Sequence, residues 1–235
     1  MAKLHALEKR EPDEAALVAE MIDILRQKMQ GDYPAGGTLR DAHPKTTGVL
    51  RGTFIVEAGL PEQLRVGVFA KPATFDCWIR TSNSSGKPQS DATPDARGLA
   101  IKLLAARGRA ATGEPGQDFI LLSTPVMPLG TVALFRDAVY YSIRSSPLLL
   151  AAKFALTGHA GVLLDLLLLR ITPTSPLDIR YWSTTPYRFG SNSVVKYSLL
   201  PNSSRKSEKP SRLGQDYLAE AMLVHLREAE ASFDF

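Results

Sequence analysis

A succession of short β-type segments limits the fold more than any other feature of the sequence. Between residues 48 and 124, runs rich in β-branched and aromatic residues alternate with clusters of Gly, Pro, Asn and Asp. The runs read GTFIVEA, LRVGVFA, TFDCWIRTS, GLAIKLLAA and QDFILLS. Several strands at this spacing predict an antiparallel sheet or barrel. The same texture returns at LDIRYWSTTPYRFG and SVVKYSLLP, and the final ASFDF alternates like the first half of a strand.

Helices are predicted before and after this β region. Residues 12–30 place apolar side chains at helical spacing, with Pro12 suited to the first turn and Gly31 to the stop. A second amphipathic pattern covers about 212–230. The predicted fold class is therefore α+β, with a mainly antiparallel β-barrel and helices on its outside.

Two further segments stand out by composition. Residues 82–97, SNSSGKPQSDATPDAR, form a long polar loop, and loops of that length are more often functional than incidental. Residues 146–170 are the most apolar part of the chain, but Lys153, His159 and Asp165 interrupt them. We predict two buried or groove-lining helices here, with a membrane-surface element or a true membrane span as alternatives.

Charge and cysteine content narrow the classes of function. The net charge of +4 is too small an excess to indicate nucleic acid binding. The single cysteine, Cys77, excludes an intramolecular disulfide, suits a reducing compartment and is predicted to be a small core residue. The opening MAKLHALEKREPDEAA lacks the apolar region of a secretory signal. These features together predict a cytoplasmic protein.

Motif searches leave one histidine as a candidate for chemistry. The histidines at positions 5, 43, 159 and 225 are scattered, so no zinc site is predicted, and the hydrolase, kinase and dinucleotide motifs are absent. His43 lies in LRDAHPKTTGVLRGTF, just before the first strong strand. A loop histidine at the mouth of a sheet can act as general acid and base, although the spacing alone favours a solvated or merely hydrogen-bonded histidine.

Five ordered segments carry a resemblance to a known family. They read RDAHPKTTGVLRGTFIVE, LPEQLRVGVFAKP, WIRTSNSSGKPQSDATPDARGLAIKLL, QDFILLSTPV and YWSTTPYRFGSNSVVKYSLLP. In this order they resemble the haem catalase superfamily, especially its small catalase-related proteins, which also resemble coral allene oxide synthases. The resemblance covers roughly residues 10–235. It implies one catalase-like haem domain over 1–235, incomplete at its C-terminal side.

The resemblance also implies roles for particular residues. His43 matches the distal histidine above the haem iron, and Ser82 matches the serine that orients it. Arg40 and Arg80 match two arginines that bind the haem propionates, and Phe135 matches an aromatic residue near the haem edge. Guanidinium groups suit carboxylates, and a positioned imidazole can move the peroxide proton.

Three departures from the family pattern bear on activity. Leu122 replaces the distal asparagine, with Ser123 beside it, and Met127 replaces a channel aromatic residue. The family's proximal tyrosine lies in an Arg-x-x-x-Tyr motif near its C-terminus, so no protein ligand to the iron is predicted in this chain. Arg136 and Tyr140 match that short pattern, but in the wrong segment.

The resemblance therefore predicts a haem protein that cleaves the O–O bond of hydrogen peroxide or of organic and lipid hydroperoxides. Two alternatives stay open, a haem-poor remnant with a binding or structural role and an allene-oxide-synthase-like rearrangement of lipid hydroperoxides. Whether the chain is an enzyme depends on the missing proximal ligand. The predicted partner is a small-molecule or lipid hydroperoxide rather than nucleic acid, with membrane-surface contact through 147–169 and a homo-oligomer left open.

Overall fold

The computed structural model describes residues 9–106 and 116–235. Within these residues, five α-helices accompany an antiparallel sheet, which confirms a mixed α+β fold. The helices are α1 Glu14–Asp32, α2 Val132–Arg144, α3 Pro147–Leu156, α4 Ala160–Leu168 and α5 Tyr217–Glu228.

The sheet curls into a half-barrel. Its first four strands are β1 Thr46–Val56, β2 Ala73–Asn83, β3 Arg97–Leu103 and β4 Gln117–Leu122, and each pairs with the next. The strands β5 Tyr181–Trp182, β8 Ser198–Pro201 and β9 Phe233–Asp234 extend it, while β6 Tyr187–Phe189 and β7 Ser193–Val195 form a separate ribbon. Because β1 and β9 are opposite edges and do not pair with each other within the described residues, the predicted barrel is not closed.

The two faces of the sheet differ in character. One face carries the apolar core, which includes Phe54, Cys77, Ile101, Phe119, Leu121, Tyr181 and Leu199. Cys77 is therefore a core residue, as predicted. On the other face, here called the outer face, one register row runs through Ser82, Gly98 and Leu122. Residues paired directly across antiparallel strands point to the same face, so these three positions are neighbours.

Three local predictions were wrong in detail. LRVGVFA is not a strand, because Gly67 has a left-handed φ of 59° and two short 3₁₀ turns, Glu62–Leu64 and Gly67–Phe69, occupy the segment. Helix α1 continues through Gly31, and an ion pair of 2.8 Å between Lys28 and Asp32 supports its last turn.

Helix α5 starts at Tyr217 rather than at residue 212. The carboxylate of Asp91 accepts a hydrogen bond of 3.1 Å from the backbone N–H of Leu218, and this contact fixes the start of the helix.

The segment 146–170 forms two helices, α3 and α4, joined through Gly158 at a φ of 80°. They continue a layer in which α1 packs on α2, α2 on α3 and α3 on α4. The prediction of two helices, buried or lining a groove, is confirmed for the helices themselves. It was wrong for their burial, because most of their leucines are exposed. Within the described residues no helix is both long and apolar enough to traverse a bilayer.

Candidate functional site

His43 lies in the loop between α1 and β1 with its backbone in the left-handed region, at a φ of 58°. This conformation is uncommon for a residue with a side chain, and Pro44 restricts it further. The carbonyl of His43 accepts a hydrogen bond of 2.6 Å from the Arg80 guanidinium, and its N–H donates to the carbonyl of Ser84 at 3.4 Å. Strained backbone held from both sides is typical of functional positions.

The imidazole is held by Ser82 and lies against Gly98. Nδ1 of His43 and Oγ of Ser82 are 2.9 Å apart, in hydrogen-bond contact. A Cβ atom at position 98 would lie 2.7 Å from Cε1 of His43, 2.8 Å from its Nδ1 and 2.9 Å from Oγ of Ser82. The ring and the hydroxyl therefore occupy the space that any other residue at position 98 would fill.

The surroundings keep the imidazole neutral. Burial lowers the pKa of His43, the positive charges of Arg80 and Arg40 lower it further, and only Asp95 opposes them. The pKa of Arg80 is itself lowered by burial and by the nearby charge of Arg40. A neutral histidine can accept a proton at neutral pH, so His43 suits the role of a general base.

Two arginines flank this histidine without a carboxylate partner. The Nε of Arg80 donates to Oγ1 of Thr46 at 3.0 Å, and Arg40 is exposed. Among the described residues, neither guanidinium lies within ion-pair distance of an acidic side chain. Two neighbouring positive charges of this kind favour an anionic ligand, and carboxylates match the guanidinium geometry.

The row across the sheet brings Leu122 beside this pair. Leu122 is opposite Gly98, which is opposite Ser82, so the leucine side chain points to the same outer face. Oγ of Ser123 accepts a hydrogen bond of 2.9 Å from the backbone N–H of Arg97. Position 122 therefore offers an apolar side chain to the outer face, and the neighbouring serine binds the start of β3.

The structure does not join Phe135 to this group. Phe135 lies in the first turns of α2 with 39% of its surface exposed, and no ring contact links it to His43 within the described residues. Arg136 forms ion pairs with Glu20 and Asp137. The ring of Tyr140 packs edge-on against the next residue.

The long loop after β2 is ordered by a buried charge network that the sequence did not reveal. Arg97 is 2% exposed, and its guanidinium donates to Oδ1 of Asn83 and to the carbonyls of Asp91, Thr93 and Ile171.

Asp91 is the second centre of this network. It accepts a hydrogen bond of 2.8 Å from Asn83 and forms an ion pair of 2.9 Å with Lys45, two residues after His43. The network therefore positions both the loop and the histidine.

Within the described residues, no cluster of three or more His, Cys, Asp or Glu side chains could hold a metal ion. The hydroxyls of Tyr181 and Tyr217 donate to the carbonyls of Pro176 and Pro173, and burial raises the pKa of both tyrosines. Both tyrosines are therefore protonated, and their buried side chains stabilise the core through these hydrogen bonds.

Comparisons with known proteins show the fold. No protein-family model matches the chain, and no curated protein is significantly similar to it in sequence. The crystal structure of a fungal catalase matches with a TM-score of 0.60 and 17% sequence identity, over 97% of this chain and 46% of that chain. The chain thus spans less than half the length of that catalase, and over nearly all of its own length it has a catalase-like fold.

Proposed function

We propose that this chain provides the distal side of a haem site and acts on hydroperoxides by O–O cleavage. One observation carries the proposal, the neutral imidazole of His43 held by Ser82 and flanked by two arginines that lack carboxylate partners. The catalase-like fold agrees with it, since the fungal catalase covers 97% of this chain. Fold alone does not imply activity, so the argument depends on the site.

The residues present fit one face of a haem. Arg40 and Arg80 would bind its two propionates, and Gly98 leaves room for the His43 ring against the outer face. When bound, the haem would supply the electrons that cleavage of the O–O bond consumes. We propose that none of the described residues would bind the haem iron, and that the chain alone binds haem weakly. Phe135 retains its proposed place near the haem edge.

His43 would move the proton during cleavage of the O–O bond. When Nδ1 carries the ring proton and donates it to Oγ of Ser82, Nε2 is free to accept the hydroperoxide proton. The same nitrogen then returns that proton to the departing oxygen, so His43 ends in the state in which it began. Arg80 and Arg40 favour the neutral ring throughout.

Leu122 bears on the choice of substrate. Hydrogen peroxide is bound almost wholly by hydrogen bonds, and a missing donor costs about 0.5–1.5 kcal/mol. An organic hydroperoxide can instead bury alkyl groups against Leu122, at about 0.8 kcal/mol per methylene. We therefore propose a preference for organic or lipid hydroperoxides over hydrogen peroxide.

Haemin titration followed by absorption spectroscopy tests cofactor binding. The expected result is weak binding without the spectrum of a tyrosinate ligand. A stoichiometric tyrosinate spectrum would contradict the proposal that no described residue binds the iron, and it would make Tyr140 the candidate ligand. No binding at any haemin concentration would favour the alternative of a haem-poor remnant with a binding or structural role.

Turnover tests the role of His43. With haemin, cumene hydroperoxide and a phenolic electron donor that reduces the haem after each cleavage, H43Q should lower kcat/KM by about 10²–10⁴-fold. H159Q is the matched control, because His159 lies in the α3–α4 turn and should retain full turnover. Equal turnover of H43Q and wild type would remove His43 from the mechanism.

Substrate preference is tested on the same preparation. The ratio of kcat/KM for cumene hydroperoxide over hydrogen peroxide should exceed one and should fall in L122N, which restores a donor. Product analysis with a fatty-acid hydroperoxide separates reduction to an alcohol from rearrangement to an allene oxide. The second product is tested because the apolar Leu122 suits a lipid substrate.

A further inference from the structure

Helices α3 and α4 expose an unusual amount of apolar surface. Leu148 and Leu156 of α3 are 81% and 88% exposed, and Leu168 of α4 is 68% exposed. Leu149, Leu164 and Leu167 are also more than half exposed. Helices that are apolar on all sides are normally buried, so these two need an external partner. We call the six leucines the leucine face.

No charged residue lies within the exposed side of α3. At 100° per residue, Leu148, Leu149, Ala152 and Leu156 fall on one arc, opposite the buried Leu150 and Phe154. Lys153 borders this arc, and its ammonium group is paired with Asp137 at 2.6 Å. The exposed side of α3 therefore consists of leucine and alanine alone.

The exposed side of α4 has the same composition. Leu164, Leu167 and Leu168 share an arc with Ala160, and Asp165 borders it. The turn between the helices contains Gly158 and His159. The leucine face thus continues across both helices.

Basic residues lie next to the end of α4. Arg170 follows the helix, and Nζ of Lys209 donates a hydrogen bond of 2.9 Å to the carbonyl of Thr172. This bond brings the exposed loop 202–212 alongside, and that loop also carries Lys206 and Arg212. Glu208 is the single acidic residue of the loop. A positive rim beside an apolar face matches the surface of an anionic bilayer.

We propose that the leucine face docks on an anionic phospholipid bilayer, with α3 and α4 lying in the interface and the basic rim against the headgroups. A protein partner is less well matched, because the face lacks the aromatic and arginine side chains that concentrate binding energy in protein interfaces. It also offers no polar groups that would fix a register. The proposal concerns α3, α4 and the loop 202–212, and it does not depend on haem.

Co-sedimentation with vesicles tests the proposal. The chain is mixed with vesicles of phosphatidylcholine alone or with added phosphatidylglycerol, and the bound fraction is measured. Binding should require phosphatidylglycerol and should weaken as salt increases. L156E and L167E should each lower the partition coefficient by about tenfold or more, since each removes one leucine that would enter the bilayer interface.

The matched control is I55E on the outer face of β1, where the isoleucine is 61% exposed. I55E should bind vesicles like the wild type, while K206E and K209E should lose about fivefold each on phosphatidylglycerol vesicles only. None of these side chains is buried in the folded chain, so every variant should fold like the wild type. Far-UV circular dichroism checks this.

Two results would overturn the proposal. One is the absence of vesicle binding, or binding that L156E leaves unchanged. The other is a wild-type dimer in analytical ultracentrifugation that L156E converts to a monomer and that vesicles do not dissociate, because a second copy would then cover the leucine face.

Discussion

Replacing Gly98 with alanine is the sharpest test of the geometry around His43. The new methyl group would lie 2.8 Å from Nδ1 of His43 and 2.9 Å from Oγ of Ser82, close to both partners of their hydrogen bond. Ordinary contact begins at 3.4 Å, so the imidazole and the hydroxyl must both move away from it. The hydrogen bond of 2.9 Å would then lengthen to about 3.4 Å, outside the usual range of about 2.7–3.2 Å.

The free energy of unfolding should fall by about 1.5–4.5 kcal/mol in G98A. Loss of the hydrogen bond accounts for about 0.5–1.5 kcal/mol, and the overpacked methyl group adds about 1–3 kcal/mol. The displaced ring should also become better solvated. The pKa of His43 should therefore rise towards its ordinary value of about 6.5.

Urea unfolding and NMR titration of the His43 ring measure the two effects. G52A is the matched control, because its Cβ would lie 2.8 Å from Cδ1 of Ile79, the flexible end of a side chain remote from His43. G52A should lose less stability and leave the titration of His43 unchanged. If G98A behaves like G52A in both measurements, the close packing of His43 on Gly98 is refuted.

Other perturbations test the charges around the site. Burial and two arginines lower the pKa of His43 in the folded state, so the unfolded state binds the proton more readily. The free energy of unfolding should therefore fall as the pH drops below about 6.5. Urea unfolding of H43Q should show a smaller fall over the same pH range. R80Q removes both a positive charge and the bond to the His43 carbonyl, so NMR should show a higher pKa for His43; an unchanged pKa would contradict the electrostatic account. D91A should lower the free energy of unfolding by about 2–6 kcal/mol, because it leaves two buried donors, the Asn83 amide and the Leu218 N–H, without an acceptor, at about 1–3 kcal/mol each. D165A on the exposed side of α4 should change it little, and equal effects would refute the network.

The sequence predicted the sheet well where strands are long. Runs of β-branched and aromatic residues between clusters of Gly, Pro, Asn and Asp identified β1, β2, β3 and β4, because this composition is a local property of the sequence. It failed at 64–70, where Gly67 turns the chain, and it could not show whether the sheet closes. Closure depends on pairing between strands far apart in the chain, which no local pattern encodes.

For the site, the resemblance identified residues that the fold does bring together. His43, Ser82, Arg40 and Arg80 are neighbours, although only the resemblance and not their spacing indicated it. Sequence analysis did not identify Gly98 as part of the site, because a glycine at the start of a strand is common. Its contact with His43 joins residues that are 55 positions apart in the chain.

The buried network was missed for a related reason. Residues 82–97 are polar, and polarity predicts exposure unless the partners are known. Arg97 is buried because carbonyls from three separate positions converge on it.

The contacts of Asp91 and Lys45 have a consequence for the order in which the chain acquires structure. Strands β1 to β4 pair with their sequence neighbours, so this meander can form early and locally. Lys45 also pairs with Asp216 and donates to the carbonyl of Gln215, 170 residues later in the chain. The loop that carries His43 can therefore reach its final conformation only after α5 has docked, and amide hydrogen exchange at β1 and at α5 would report two separate stages of folding.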